Sequence, residues 1–298
     1  MLDYGLVFAG GGARGAAHVG VLLALEEERF LPDCAAGASA GAIVAGLYAA
    51  GLDLGTMKEA VLWLSKHGKS YLDPDIIQLI RLVPQIFMRG DLSLTGLLKG
   101  NRLMRFLCDL TENRSLEETV YKLLIPAVDI KSGNTIVFTN MIEGPLPSRA
   151  LHQEHTSWER SGTLCEIMMA SASVPAVFQP RRMNDYCLVD GGVTNNLPVD
   201  LLIAAGKKRV IGVDIGADYK MSHDNSIIEI SSHSFSIMSR ELKDCRSSGE
   251  ILMLKPPLKQ GAGLLTFEQM EACMEDGYLY TKRQMPKIRR VLEREGII

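Results

Sequence analysis

The sequence has no marked excess of charge: 32 Lys and Arg stand against 35 Asp and Glu among 298 residues, a formal net charge of −3. A nucleic-acid partner, which needs a basic face or stripe, is therefore not expected. The longest basic cluster, Lys282-Arg283 to Lys287-Ile288-Arg289-Arg290, is interleaved with Glu293 and Glu295 and reads as a solvated helix face. There is no C-x-x-C pair. Six scattered cysteines (Cys34, Cys108, Cys165, Cys187, Cys245, Cys273) read as small buried hydrophobes in a reducing compartment. A basic leader is also lacking, since Asp3 stands where one would begin, and the expected location is cytoplasmic. Ala35 to Leu52 reaches the bare length of a membrane span, but glycine and alanine dominate it and Ser39 interrupts it, so it reads as buried. With 47% apolar and 22% charged residues, the composition is that of an ordinary globular chain and excludes disorder, a collagen-like repeat and a disulfide scaffold.

Strand-like and helix-like segments alternate. Tyr4 to Ala9 is a short apolar run ending in glycines, as a buried parallel strand should be. Ala16 to Arg29 follows with helical spacing, then a second strand, Cys34 to Ala38, and a helix from Ala40 to Ala50. Further strands are expected at Leu124 to Ile130, Thr135 to Phe138, Tyr186 to Val189, Val210 to Ile215 and Ile251 to Leu254. This pattern predicts an α/β fold with a mainly parallel sheet and helices on both faces. One domain over 1–298 is expected, with a helical insertion at about 56–122 and C-terminal helices at about 266–298. Start signals stand at Asn101, at Ser115-Leu116-Glu117-Glu118 and at Thr266-Phe267-Glu268-Gln269, and Pro286 should break or kink the last helix. The very apolar stretch 75–90 reads as core or, in a sharper reading, as a lid or lipid-contacting surface.

Three short motifs carry chemistry. Gly10-Gly11-Gly12-Ala13-Arg14-Gly15 lies between strand and helix, where glycines let N–H groups approach an anion at a positive helix end. It suits either a phosphate or an oxyanion. Gly37-Ala38-Ser39-Ala40-Gly41 matches G-x-S-x-G after a strand and before a helix, the setting of a nucleophile elbow, although a serine helix cap has the same look. A crossover between adjacent parallel strands would bring both loops to one sheet edge, with an oxyanion on Ser39 facing the N–H groups of Gly11, Gly12 and Ala40. In Val189-Asp190-Gly191-Gly192 an aspartate closes a strand before the chain turns away, and Asp190 is the leading base. Asp129 and Asp214 are rivals on similar strand ends. His18, just beyond the glycine loop, is the one histidine near the expected site. His152 and His155 miss the spacing of the zinc motifs H-E-x-x-H and H-x-x-E-H, and no metal is expected.

In combination these motifs resemble the patatin-like phospholipases. The helix start His18-Val19-Gly20-Val21-Leu22, Ala127-Val128-Asp129-Ile130-Lys131-Ser132-Gly133 and Ala170-Ser171-Ala172-Ser173-Val174-Pro175 share the resemblance, which spans most of 4–215. It implies a three-layer α/β/α fold and a Ser39–Asp190 dyad without histidine. It also implies an oxyanion hole from Gly10, Gly11, Gly12 and Ala40, with Arg14 in support. No cofactor is implied. The implied substrate is a fatty-acyl ester or phospholipid, met through transient membrane-surface contact by a protein that is otherwise cytoplasmic. An acyl thioesterase or acyltransferase would use the same dyad. A nucleotide-binding protein and a non-catalytic lipid-binding module are the alternatives of another class.

Overall fold

The computed structural model describes residues 1–75, 96–142, 155–216, 227–246, 249–258 and 263–298. In chain order the elements are β1 (Leu2–Phe8), α1 (Ala16–Glu27), β2 (Pro32–Gly37), α2 (Ala40–Ala49), α3 (Leu54–His67), α4 (Asn101–Leu110), β3 (Lys122–Asp129), β4 (Thr135–Thr139) and β5 (Thr156–Glu159). They continue as α5 (Leu164–Ser171), β6 (Arg181–Met183), β7 (Tyr186–Val189), α6 (Val199–Ala204), β8 (Val210–Val213), α7 (Ile227–Arg246), β9 (Leu252–Leu254) and α8 (Met270–Arg294). Single 3-10 turns link several of them, including Gly12–Gly15 and Gly191–Val193.

The sheet runs β5-β4-β3-β2-β1-β8-β9, with β7 on β3 and β6 on β7. Five of its pairings are parallel (β1 with β2 and β8, β2 with β3, β4 with β5, β8 with β9), while β3–β4, β3–β7 and β6–β7 are antiparallel. This is the expected mainly parallel sheet of a three-layer α/β/α fold. β1 lies inside it, and the side chains of Tyr4, Leu6, Val7 and Phe8 are fully buried because helices cover both faces. β5 and β6 escape a sequence reading: each is short, and neither Thr156–Glu159 nor Arg181–Met183 has an apolar run.

The C-terminal helix joins the core through α1. A Cβ on Gly20 would strike the Met274 carbonyl and one on Gly277 the Ala17 carbonyl, so this glycine pair lets the two backbones meet. Contrary to expectation, Pro286 does not break α8, which runs unbroken from Met270 to Arg294. Pro286 is exposed, while Met285 and Ile288 beside it are buried. The basic cluster on this helix pairs with the acidic end of α1, Lys282 with Glu27 at 2.9 Å and Arg289 with Glu28 at 3.0 Å.

In the insertion, the cap of α4 is supplied from a distance. Asp73 accepts the N–H groups of Gly100 (2.6 Å) and Asn101 (3.0 Å), so Asn101 is the first helical residue, not the cap. Ser115 and Glu118 form the expected capping box, whereas Thr266 gives its start no side-chain cap. Cys108 on α4 and Cys165 on α5 form a disulfide, correcting the reading of all six cysteines as separate thiols. Their separation of 57 residues gave no sequence signal. The proposed lid at 75–90, apart from Asp75, lies outside the described residues.

Candidate active site

Ser39 sits between β2 and α2 with φ 55° and ψ −126°, a left-handed conformation that a non-glycine residue adopts only under constraint from its surroundings. The constraint comes from the end of α5. The Ser39 N–H donates to the Ser171 carbonyl (3.1 Å) and lies 3.2 Å from Ser171 Oγ, while Ser171 Oγ–H donates to the Pro126 carbonyl on β3 at 2.6 Å. Two residues on, the Ser173 carbonyl accepts the Asp190 N–H at 2.9 Å. The same short segment thus anchors the backbones of both Ser39 and Asp190. In sequence it was a supporting motif without an assigned task.

Asp190 closes β7 and is fully buried, and Ser39 is 5% exposed. Burial in a poorly hydrated site pushes the Asp190 carboxyl up to about 7, against lowering influences from the nearby Ser39 hydroxyl and the Gly192 N–H. Gly192 N–H donates to Oδ1 at 2.7 Å. Oδ2 is buried and completes no hydrogen bond of good geometry, although the Ser39 hydroxyl is close enough to favour the charged form. The Gly192 carbonyl in turn accepts from Ser239 Oγ at 2.8 Å, a contact from α7 that no motif marked.

The rival carboxylates are engaged elsewhere. Asp129 accepts from the N–H of Cys187 (2.8 Å) and from Ser132 Oγ (2.7 Å). Desolvation raises its pKa, but these bonds outweigh it and hold the carboxyl below the usual range. Asp214 is ion-paired with Lys243 at 2.6 Å. His18 is fully buried, its Nε2 is 2.8 Å from the Ala9 carbonyl, and burial pulls its pKa down to about 4. It stays neutral at physiological pH and is bonded to backbone. The His155 carbonyl accepts the Thr135 N–H, and His152 lies outside the described residues. No cluster of metal-ligating side chains occurs among the described residues.

The glycine loop divides into two roles. Gly10 is spent as a donor, because its N–H is bonded to the Asn196 carbonyl at 3.1 Å; this corrects its expected place among the oxyanion donors. Its own task is steric, since a Cβ there would meet the Asn196 side chain and come within 2.9 Å of Ser39 Cβ. Ala13 N–H is also spent, on the Leu264 carbonyl. Gly11 and Gly12 lead into a 3-10 turn and Ala40 is the first residue of α2, positions whose N–H groups have no intrahelical acceptor. All three flank Ser39. Arg14 is nearly buried beside them and directs Nε toward the Gly11 carbonyl at 3.3 Å.

Two cavities open on Ser39. One, of about 120 Å³, is almost wholly apolar and runs between α2, α3 and α4, past Ile43, Leu47, Val61, Leu64, Leu103 and Leu107. The other is smaller, about 60 Å³, and of mixed polar and apolar lining.

A family model described as patatin-like phospholipase matches residues 6–203. Among curated relatives, a patatin-like phospholipase domain-containing protein of Caenorhabditis elegans is 31% identical over 215 residues, 72% of this chain and 14% of its own. The neuropathy target esterase sws of Drosophila melanogaster is 28% identical over 214 residues, covering 72% of this chain and 13% of its own. An uncharacterised NTE family protein of Mycobacterium tuberculosis is 29% identical over 211 residues, 71% of this chain and 30% of its own. The chain thus spans less than a third of the length of these relatives. Among solved structures, VipD from Legionella pneumophila superposes with a TM-score of 0.50 at 14% identity, over 96% of this chain and 67% of that one, a likeness of fold.

Proposed function

Because this chain belongs to the patatin-like phospholipase family, we propose that it hydrolyses fatty-acyl esters of lipids, with Ser39 as nucleophile and Asp190 as base. The observation that carries this reading is a strained serine beside a buried carboxylate, at the mouth of an apolar cavity.

In the first step the Asp190 carboxylate takes the hydroxyl proton as Ser39 Oγ bonds to the ester carbonyl carbon. The carbonyl electron pair moves to oxygen, where the N–H groups of Gly11, Gly12 and Ala40 stabilise it. One such donor is worth roughly 3–4 kcal/mol of barrier. Collapse breaks the bond to the leaving oxygen, which receives the proton from Asp190 and departs as alcohol. Water then attacks the acyl-serine, giving its proton to Asp190. The fatty acid leaves, and Ser39 Oγ recovers its proton. An aspartate near its ordinary pKa is too weak a base for this task, and burial supplies the missing basicity. The dry walls of the larger cavity suit an acyl chain, whose burial is favoured by about 0.8 kcal/mol per methylene.

The test is hydrolysis of long-chain acyl esters by wild type, Ser39→Ala and Asp190→Asn. Both variants should lose at least about 10³-fold in kcat, as expected when a nucleophile or its base is removed. Turnover within a few fold of wild type in either, with the fold intact by circular dichroism, would overturn the dyad.

A further inference from the structure

The two cavities meet at Ser39 and share Gly12 and Leu264 beside it. If the apolar one receives the acyl chain, the mixed one lies where the alcohol must depart. Its lining includes Arg14, Asn196, His233, Arg240 and Lys243 and, among the described residues, no aspartate or glutamate. Three of these, His233, Arg240 and Lys243, stand on α7, beyond the stretch matched by the family model.

The charges are not all alike. Lys243 and Asp214 form a nearly buried pair at 2.6 Å, which as a unit is neutral. Arg240 is about half exposed and meets Glu241 at 3.6 Å, with that glutamate 71% exposed, so solvent screens the contact and the guanidinium keeps most of its reach. Arg14, nearly removed from water, lines the same cavity with its Nε directed at the Gly11 carbonyl. A planar guanidinium presents paired donors that match phosphate oxygens, and a phosphate set against that of Arg240 would be held more firmly than a neutral alcohol.

Resting on the acyl-hydrolase reading, we propose that this cavity seats the leaving group and selects an alcohol bearing a phosphate monoester over a neutral or zwitterionic one. Arg240 is then the specificity-determining residue: the ester's acyl chain enters between α2, α3 and α4 while its charged end lies under α7.

Three esters with one oleoyl chain separate the cases: monooleoylglycerol, oleoyl-glycerophosphocholine and oleoyl-glycerophosphate, each assayed as kcat/KM below its aggregation threshold. The phosphate monoester should be preferred by about tenfold or more, the scale of one charge-assisted contact, and Arg240→Glu should lower that preference by about as much. Circular dichroism verifies that the variant is folded, and fluorophosphonate labelling of wild-type Ser39 reports the nucleophile independently. Equal kcat/KM for the three esters, or a preference that Arg240→Glu leaves unchanged, overturns the proposal. So does activation of monooleoylglycerol cleavage by free glycerol phosphate, which would make the cavity a site for a separate anion; competition is the expected result. Should none of the esters be cleaved and Ser39 take no label, the acyl-hydrolase reading falls first and this one with it.

Discussion

Asp190 loses its solvent on folding and receives one backbone N–H in return, so its ionised form is held at a cost to stability. With the folded carboxyl at about 7 against an ordinary 3.8, stability from this group is full below about pH 4 and is lost progressively as pH rises through 7. The loss is of order 4 kcal/mol by linkage. Asp190→Asn, which cannot ionise, should therefore be more stable than wild type at pH 8, with the two converging toward pH 4. Urea unfolding at both pH values measures this, and an Asn variant less stable at pH 8 contradicts it. The same ionisation should appear as an acid limb near pH 7 in kcat/KM, since only the carboxylate accepts the Ser39 proton. Ser39 and Asp190 were legible in sequence because an elbow and a strand-end aspartate each impose small neighbours nearby in the chain. Ser171 and Ser239 were not, because they act through hydrogen bonds to residues tens of positions away. Gly10 was misassigned as a donor for the same reason, its acceptor being Asn196.

At the scale of elements, the apolar cavity is a product of packing between α2, α3 and α4, helices that a sequence reading places in order but not against one another. Ala60 on α3 lines it with the smallest side chain that a helix wall offers. Ala60→Trp should fill part of the cavity and move preference toward short chains. The ratio of kcat/KM for palmitoyl over octanoyl esters should fall by about tenfold or more, equivalent to about two methylenes of lost contact. An unchanged ratio would place the chain elsewhere. Periodicity located β1, β2, β3, β4, β7, β8 and β9 to within a few residues, since each is an apolar run bounded by turn residues. It failed where elements depend on distant partners: β5 and β6 are strands through pairing alone, α4 is capped by Asp73, and α8 passes through Pro286 because burial on either side holds it.

Across the whole molecule, the Cys108–Cys165 disulfide ties the wall of the acyl cavity to α5, whose end anchors Ser39 and Asp190. Closing a loop of 57 residues restricts the unfolded chain by about 4 kcal/mol in the chain-entropy model. Reductant should accordingly lower the urea midpoint of wild type to that of the Cys108→Ser/Cys165→Ser variant, whereas a midpoint insensitive to reductant would deny the bond a stabilising part. No helix among the described residues is long and apolar enough to cross a membrane. What unites sheet, helices and loops is the convergence of one hydroxyl and one carboxylate that are far apart in sequence. Peptide mapping of the adduct formed with a fluorophosphonate tests it most directly. The modification should fall on Ser39 and should form at least about 10²-fold more slowly in Asp190→Asn, as when a general base is lost. An adduct on another serine, or one that forms on Ser39 equally fast without the carboxylate, would contradict the account.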